Sequence, residues 1–335
     1  MRFHSVLLVV TLLLAVFVTV GAAQVVLPSG TIVALSGDGI GGVCYAEGVR
    51  DNSGRFIGYR IFHRDANGTV AIVASDPSPV GYLPYGSTTA GALTNRTAAE
   101  KPQFACTGIS VFFRVYFPTG GYRLFQRDYG DTGEPAFLAD FSNPQIVVSR
   151  GDRVLVVDNN TTLGNVVYQY HPNMTEVNEL GLFNQFASYC ATNQDLYGLV
   201  SIGNFTQANT LTGDISPLSS AKAVMPTFYP TRNQTTLACS NFGAAHIFRT
   251  IKDSLTVRDL VSGVATDYPL PGMLYGAAMA DDGTVFVAVN YDGGMKVFSL
   301  SLSAGAMSQV DLGTARLSDN IYLAVSGGTL YVASY

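Results

Sequence analysis

Apolar and polar residues alternate along two short runs near the C-terminus and predict a β-hairpin. The stretch DDGTVFVAVNYDGGMKVFSL, from Asp281 to Leu300, has an apolar run on each side of a polar, Gly-rich turn. Alternation with a period of two is typical of a half-buried strand, and Asp-Gly is a favoured pair in tight hairpin turns. Because an isolated hairpin is barely stable in water, we expect this one to pack against further sheet.

The same arrangement, a polar turn followed by an apolar strand, recurs along the chain. The copies are GIGGVCYAEGV, CTGISVFFRVYF, SRGDRVLVVDNN, TNQDLYGLVSIGN, RNQTTLACSNFG and SGGTLYVASY. Phase marks taken from them and from the hairpin are spaced by 66, 44, 43, 40, 48 and 45 residues: Gly42, Gly108, Asp152, Asp195, Thr235, Gly283 and Gly328. A period near 44 built of short strands predicts an all-β fold, a β-propeller of about seven four-stranded blades.

Helical periodicity is almost absent from the sequence. Residues 176–189 show apolar positions at spacings of three, but Gly181 interrupts them and the Val, Phe and Tyr residues favour strands. The first spacing is long because residues 75–102 are rich in Pro, Gly, Ser and Thr and carry Tyr82 and Tyr85. We expect a long inter-blade loop there, and loops of this length are often functional.

The last blade is short of strands, because its phase mark lies only seven residues from Tyr335. The stretch QVVLPSGTIVALS near the N-terminus offers two strands that precede the first mark. Residues 25–36 are therefore predicted to pair as outer strands with the sheet formed by residues 321–325 and 330–334. This pairing would close the ring and remove an open sheet edge.

The C-terminal repeats resemble the blades of NHL and YVTN propellers. The resemblance lies in Asp-Gly before an apolar strand and in the V-F-S-L return strand, and it covers mainly residues 272–335 and more weakly 140–260. It implies the fold. Such repeats occur in binding proteins and in enzymes alike, so the resemblance implies no activity.

The N-terminal segment is typical of a secretory signal peptide. Arg2 precedes an apolar run from Ser5 to Val20, and small residues follow at 21–23. We expect cleavage after Ala23, a single propeller domain over residues 24–335, and secretion to the extracellular space. The alternative is an uncleaved anchor, because the run is just under the length that spans a bilayer. No second run of spanning length follows, so the cleaved chain is expected to have no membrane span.

Charge is sparse and its balance is acidic. Charged residues make up 13% of the chain, against an ordinary value of about 25%. Loss of the signal segment with Arg2 leaves 18 cations against 24 acids, a net charge of −6, which argues against a nucleic-acid or anionic-membrane partner. Seven Asn-X-Thr sequons predict glycans that keep this surface soluble: Asn67, Asn95, Asn159, Asn160, Asn173, Asn204 and Asn233.

Four cysteines are expected to form two structural disulfides in an oxidising compartment. Three pairings are possible. Cys44 and Cys106 occupy nearly the same phase of consecutive units, and Cys190 and Cys239 also lie in consecutive units. The sequence therefore favours the pairs 44–106 and 190–239 over the two crossed pairings.

Catalytic motifs are scarce. His63, His171 and His246 have no short metal spacing, the chain has no GxSxG elbow, and SGDGIGG at 36–42 precedes a strand, unlike a phosphate loop. The absence of Trp removes the sialidase Asp-box pattern and the favoured sugar platform. Propeller lactonases gather acidic and amide side chains on the axis around calcium. Positions that could contribute to such a site, although hydrated turn roles are expected for them, are Glu47, Asp158, Asn193, Asn241 and Asn290.

The main functional prediction is a non-enzymatic extracellular protein with a structural or interaction role. Every sequon precedes residue 236, so the last hundred residues form a glycan-free arc. Its Tyr268, Tyr275 and Tyr291 are predicted to contact a protein partner, with further copies of the chain in a homopolymer as one form of partner. Two alternatives stay open: a propeller hydrolase or lactonase with an axial metal, calcium in the lactonase case, and a glycan-binding lectin. Without an axial metal, no cofactor is expected.

Overall fold

The structure is a computed structural model, and parts of the chain are described by it. The described residues are 23–27, 32–50, 52–53, 56–73, 83–84, 104–116, 122–141, 144–148, 153–160, 164–170, 178–183, 186–193, 195–202, 205–211, 222–225, 235–249, 254–318 and 321–334. The predicted signal segment and most of the predicted loop at 75–102 lie outside them. Within these ranges no helix is long and apolar enough to cross a membrane.

The described residues form strands, without a helix, arranged in seven sheets. Sheet 1 contains β2 (Ile32–Gly37), β3 (Val43–Arg50), β4 (Phe56–Arg64) and β5 (Val70–Ile72), with β6 (Leu83–Pro84) also paired to β4. Sheet 2 contains β7 (Phe104–Cys106), β8 (Ser110–Tyr116), β9 (Tyr122–Asp128) and β10 (Ala136–Phe141). Sheet 3 contains β11 (Pro144–Val148), β12 (Val154–Asn160), β13 (Gly164–Tyr170) and β14 (Asn178–Phe183).

The C-terminal sheets repeat this order. Sheet 4 contains β15 (Phe186–Ala191), β16 (Leu196–Ile202), β17 (Phe205–Leu211) and β18 (Lys222–Met225). Sheet 5 contains β19 (Thr235–Cys239), β20 (Ala244–Arg249), β21 (Leu255–Asp259) and β22 (Ala265–Tyr268). Sheet 6 contains β23 (Leu274–Met279), β24 (Thr284–Tyr291), β25 (Gly294–Ser301) and β26 (Met307–Gln309). Sheet 7 contains β27 (Ile321–Ser326), β28 (Thr329–Ser334) and β1 (Ala23–Val26).

The predicted hairpin near the C-terminus is the β24–β25 pair of sheet 6. Its register runs from Thr284 opposite Ser301 to Tyr291 opposite Gly294. Asp292 and Gly293, between the strands, both have positive φ, 51° and 78°, the requirement of a type I′ turn whose twist matches that of the strands. The sequence pattern therefore fixes both the strands and the turn that joins them.

The sheets follow one another as the blades of a propeller, which confirms the predicted all-β fold. The first strand of each sheet contacts the first strand of the next, and β27 of sheet 7 contacts β2 of sheet 1. Apolar clusters fill the space between neighbouring sheets. Between sheets 5 and 6, for example, Val257 and Leu270 share a buried cluster with Val287 and Leu300. Sheets that share such a cluster bury their faces against each other, as the repeat pattern requires.

The prediction for the N-terminal strands is right for one strand and wrong for the other. β1 lies beside β28 in parallel register, with Val25 opposite Tyr331, so the chain does supply a strand to the last sheet. Residues 32–36, however, belong to β2, the first strand of sheet 1. The reason is burial, because Ile32 is enclosed in a cluster that includes Val43 of sheet 1 and Tyr331 of sheet 7.

One phase mark was also misplaced. Gly42, Gly108, Gly283 and Gly328 lie at the turn between the first and second strands of their sheets, but Thr235 begins β19. In sheet 5 that turn contains Gly243, because the polar run NQTT mimics a turn one strand too early. The stretch at 176–189 contains strands, as expected from its Val, Phe and Tyr residues.

Candidate functional site

One edge of the sheets carries a repeated turn design. In four sheets the residue after the first strand uses a side-chain oxygen to accept a backbone N–H group of its own turn. The acceptors and donors are Asp38 and Gly42 (2.8 Å), Thr107 and Ser110 (3.1 Å), Thr192 and Asp195 (2.9 Å), and Ser240 and Gly243 (3.1 Å). In an antiparallel sheet the turns from first to second strand and from third to fourth strand fall at the same edge. We call this edge the turn face.

A buried polar cluster joins sheets 7 and 1 at the turn face. Asp38, 2% exposed, places Oδ2 3.0 Å from His63 Nε2, and its Oδ1 accepts the Ser326 hydroxyl at 2.8 Å. Ser326 Oγ in turn accepts the N–H groups of Gly39 (3.0 Å) and Gly41 (2.9 Å). We call Asp38, His63, Ser326 and Tyr129 the Asp38 cluster.

Tyr129 extends this cluster into sheet 2. Its ring stacks on the His63 ring, with centroids 3.6 Å apart and planes 2° from parallel. The Tyr129 hydroxyl donates to the Thr107 carbonyl at 2.8 Å. Burial, and then the Asp38 charge, raise the pKa of Tyr129 far above its usual range, so the phenol stays neutral. The Cys44–Cys106 disulfide also joins sheets 1 and 2. The cluster and the disulfide together therefore connect sheets 7, 1 and 2.

The Asp38 cluster contains a serine, a histidine and an aspartate, but not in a catalytic order. In a Ser-His-Asp triad the serine donates its proton to the histidine, whereas Ser326 donates to Asp38. Both Ser326 and His63 are buried. Burial raises the pKa of Asp38, but hydrogen bonds from His63, Ser326 and the turn amides outweigh it and lower that pKa. The geometry is that of a structural clamp built around an ionised carboxylate.

The second described histidine is also enclosed. His246 on β20 is buried, and its Nε2 lies 2.7 Å from the Thr235 hydroxyl. Burial, with a contribution from the Arg258 charge, lowers the pKa of His246 to about 3. The ring is therefore neutral at physiological pH. His171 lies outside the described residues.

An open pocket lies between sheets 5 and 6 at the turn face, with a volume of about 520 Å³. Turns and adjoining strand residues of both sheets line it. They are Ser240, Phe242, Gly243, Asp259, Val261, Ser262, Val264 and Thr266 of sheet 5, and Met279, Asp281, Asp282, Gly283, Leu302 and Ser303 of sheet 6. We call it the sheet 5–6 pocket.

Three carboxylates and no cationic side chain line this pocket. Asp259 accepts the Val261 N–H at 2.8 Å, and Asp282 accepts the Thr284 N–H at 2.9 Å. Asp281 accepts the backbone N–H and the side-chain amide of Asn241 at 2.8 and 2.6 Å. These bonds fix the carboxylates in place, and since a carboxylate has about four acceptor sites, each retains capacity for a further donor.

The rim of the same pocket is apolar and exposed. Phe242, Val261 and Val264 are 75%, 65% and 61% exposed. Gly243 leaves room for the buried Met279 side chain below them, because a Cβ at this glycine would lie 2.7 Å from Met279 Cε. The pocket therefore offers a negative charge and an apolar rim to the same ligand.

The residues considered for an axial metal site lie in different sheets and in different parts of them. Asn193 and Asn241 lie in successive turns, where the Asn193 N–H donates to the Asn241 carbonyl at 3.0 Å. Glu47 and Asp158 lie on the second strands of sheets 1 and 3, and Asn290 is near the far end of β24. Among the described residues no group of three His, Cys, Asp or Glu side chains is placed to hold a metal ion. Axial calcium stays an untested expectation.

Both predicted disulfides are present. Cys44 pairs with Cys106 and Cys190 with Cys239, with Cα separations of 6.3 and 5.6 Å. Among the sequons, Asn67 is exposed in the turn after β4, and Asn159 and Asn160 lie on β12. The remaining four fall outside the described residues: Asn95, Asn173, Asn204 and Asn233. Glycosylation stays a prediction.

The tyrosines proposed as a contact surface are not equally accessible. Tyr268 is 1% exposed, and its hydroxyl donates to the Ser301 carbonyl at 2.9 Å. Tyr268 therefore cannot contact a partner, because its ring belongs to the core between sheets 5 and 6. Tyr275 and Tyr291 are half-buried. Sequence reasoning missed the pocket in the same sector, although an apolar residue inside the polar turn Ser-Asn-Phe-Gly at 240–243 was a usable signal.

Comparison with known proteins supports the fold. No family model and no curated protein matches the chain. Among solved structures it is similar to the propeller domain of the trilobed protease from Pyrococcus furiosus, with 10% identity over 88% of this chain and 87% of that one and a TM-score of 0.57. It is also similar to a Mycobacterium tuberculosis puromycin-hydrolyzing peptidase, with 14% identity over 88% and 47% of the two chains and a TM-score of 0.59.

A third similar structure is the Pyrococcus horikoshii acylaminoacyl peptidase, with 9% identity over 88% of this chain and 48% of that one and a TM-score of 0.56. The chain thus spans about half the length of these two peptidases. The prediction of a non-enzymatic structural or interaction protein is contradicted by these similarities, because most of the similar structures are peptidases or hydrolases. Identities this low establish the fold, not the activity.

Proposed function

We propose that this chain is an extracellular, hydrolase-type propeller that binds peptide-like substrates at its turn face. The two disulfides and the N-terminal sequence pattern support an oxidising, extracellular setting. The puromycin-hydrolyzing and acylaminoacyl peptidases among the similar structures supply the substrate class.

The observation that carries the proposal is the sheet 5–6 pocket. It is open to solvent and has room for a side chain or a short peptide segment, with carboxylates held by turn amides and an apolar rim. Ligand sites have this character: mostly apolar walls with a few fixed polar groups that set the orientation. The carboxylates are fixed by the fold, so a substrate meets a preformed site.

We assign substrate binding to the described residues, but not cleavage of the amide bond. His63 and His246 are both buried and hydrogen-bonded within the protein. A general base must reach the proton that it abstracts, and neither ring faces a ligand. The propeller is therefore proposed to select and present the substrate for amide hydrolysis.

The test uses the full chain isolated from the medium of expressing cells, together with any protein that stays bound to it. The preparation is incubated in ¹⁸O-labelled water with puromycin, acylated amino-acid amides and short peptides. Hydrolysis breaks the C–N bond, places the water oxygen on the carbonyl carbon and transfers protons to the amine, so one product gains the label. Mass spectrometry measures it.

We expect labelled carboxylate product from at least one substrate, and less of it from the variant Asp281→Asn/Asp282→Asn. The Asp311→Asn variant is the matched control, because Asp311 is an exposed turn carboxylate outside the pocket. A preparation that labels none of the substrates, while an added peptidase labels them under the same conditions, overturns the proposal.

A further inference from the structure

The sheet 5–6 pocket has a charge distribution that specifies its ligand more narrowly than its shape does. Asp281 and Asp282 are exposed and Asp259 is half-buried, and no Lys, Arg or His is among the lining residues. A cleft lined by charges of one sign concentrates the field inside it and attracts groups of the opposite sign. The pocket therefore favours a positively charged ligand.

A metal ion does not fit this distribution. Metal sites gather several oxygen ligands around a single point. Within the described parts of the chain no three acidic side chains approach closely enough to share an ion. Two of the carboxylates belong to the turn before β24 of sheet 6, and Asp259 ends β21 of sheet 5. Carboxylates spread across a pocket suit an organic cation whose donors point in more than one direction.

The exposed apolar side chains at the rim favour a ligand with an apolar group beside its positive charge. Phe242 lies in the turn before β20, and Val261 and Val264 lie in the turn before β22. All three side chains are more than half exposed. Single exposed apolar residues are ordinary, but several around one pocket mark a binding surface. A ligand that covers these side chains removes its own apolar surface from water in the same contact.

We propose that the sheet 5–6 pocket binds a peptide through a positively charged amine or guanidinium that neighbours a bulky apolar side chain. This inference deepens the proposed function and rests on it for the peptide-like nature of the ligand. The cation lies among Asp259, Asp281 and Asp282, and the apolar side chain covers Phe242, Val261 and Val264. Two sources supply the same cation, a Lys or Arg side chain and a free amino terminus.

The experiment measures peptide binding to the full chain by titration calorimetry, independently of hydrolysis. Acetyl-Phe-Lys amide carries the cation on a side chain, and Phe-Gly amide carries it at a free amino terminus. Their neutral counterparts are acetyl-Phe-Gln amide and acetyl-Phe-Gly amide, and acetyl-Gly-Lys amide keeps the charge without the apolar group. We expect at least one cationic peptide to bind about tenfold or more tightly than its neutral counterpart, with affinity falling as salt is raised.

Paired variants assign the binding to this pocket. Asp281→Asn/Asp282→Asn keeps one acceptor oxygen at each position for the backbone N–H groups of the turns, while it removes two charges and the bond from the Asn241 side-chain amide. It is expected to abolish the preference for cations. Phe242→Ser is expected to weaken binding of the Phe peptides and not of acetyl-Gly-Lys amide. The controls are Asp311→Asn and Phe137→Ser, at an exposed carboxylate and an exposed phenylalanine elsewhere on the surface. Unchanged urea-unfolding midpoints show that each variant is folded.

The outcomes separate this inference from the proposed function. Equal binding of charged and neutral peptides, or a charge preference that survives the double variant, overturns the inference whatever the hydrolysis assay gives. Charge-dependent binding without hydrolysis refutes the proposed function and leaves the pocket assignment standing. A preference for the Lys peptide over Phe-Gly amide identifies a side-chain cation, and the reverse identifies an amino terminus.

Discussion

The junction of sheets 7, 1 and 2 and the junction of sheets 5 and 6 both place carboxylates in the turn between the first and second strands of a sheet, but with opposite burial. At the first, the turn carboxylate of Asp38 is buried and meets a histidine, a serine and backbone amides. At the second, the turn carboxylates of Asp281 and Asp282 remain exposed beside a pocket. The neighbouring sheet differs between the two cases. Sheet 7 supplies the Ser326 hydroxyl to Asp38, whereas the sheet 5 turn supplies the Asn241 amides to Asp281 and carries the exposed Phe242 beside the pocket.

Close approach of the backbones makes the first junction possible. A Cβ on Gly37 would lie 2.6 Å from the Val325 carbonyl oxygen, and one on Gly327, whose φ is +51°, would lie 2.7 Å from the Gly41 nitrogen. Only glycine allows this contact. At the first junction, glycines let the turns of sheets 7 and 1 approach closely enough to enclose the carboxylate of Asp38. At the second junction, the turns of sheets 5 and 6 are joined by hydrogen bonds from Asn241 to Asp281, and the carboxylate stays exposed.

The largest expected effect is the loss of the Cys44–Cys106 disulfide. Its residues are separated by 62 positions, and for a loop of that length the chain-entropy estimate is about 4 kcal/mol of unfolding free energy. We expect Cys44→Ala/Cys106→Ala to lose about this amount in urea denaturation. An effect far smaller than that of Cys190→Ala/Cys239→Ala, whose separation of 49 is comparable, would contradict the view that sheets 7, 1 and 2 form the clamp.

The next largest effect is expected for the Asp38 carboxylate. Asp38→Ala leaves His63, Ser326 and two turn amides without their shared acceptor, and breaking a buried pair of this kind costs about 3 kcal/mol or more. Asp282→Ala is the matched control, since that carboxylate is exposed and accepts one turn amide. Urea denaturation should show about 0.5 kcal/mol or less for the control. Similar losses for the two variants would end the distinction between the buried clamp and the exposed pocket carboxylates.

Acid should act on the two regions in different pH windows. In the folded protein the pKa of His246 is lowered to about 3, so the ring is neutral. In the unfolded chain the pKa is about 6.5, so below this pH the unfolded chain binds a proton that the folded chain does not bind. Stability should fall by about 1.4 kcal/mol per pH unit below that point. His246→Gln should remove this slope between pH 6.5 and 4.5. If the slope persists in the variant, sheet 5 is not its source.

The contribution of Asp38 to stability changes in a more acidic pH window than that of His246. Its folded pKa is lowered, so its stabilisation is present above the unfolded value of about 4 and is lost as the pH falls through the folded pKa. The two titrations therefore separate the regions within one acid series.

The smallest effect is expected for two serines at the turn face, Ser326 at the end of β27 and Ser240 directly after β19. Ser326 Oγ connects sheet 7 to Gly39, Gly41 and Asp38 of sheet 1, so Ser326→Ala should cost about 1–2 kcal/mol. Ser240 Oγ accepts amides of its own turn, and Ser240→Ala should cost about half as much. Thermal and urea unfolding of the pair measure the difference. A larger loss for Ser240→Ala would reverse the assignment of the clamp.

The sequence predicts the repeats of this fold better than its junctions. Alternation around Asp292 and Gly293 was enough for the hairpin, and repeat phase was enough for the cysteine pairs. The pocket was not visible, because Asp259 and Asp281 come from different sheets and nothing in either local pattern shows that they share a cavity. Tyr268 failed for the same reason, since burial between two sheets is decided by packing and not by the alternation of one strand.

The pairing of β1 with β28 has a consequence in time as well as in space. Val26 lies opposite Val332, so one of the first strands to leave the ribosome waits for one of the last. At about 5–20 residues per second, synthesis of the intervening chain takes on the order of 15–60 s. Pairing between such distant segments is slow to form, and unpaired strand edges invite association meanwhile. The nascent chain must therefore leave β1 without its partner strand until the C-terminal strands have been made.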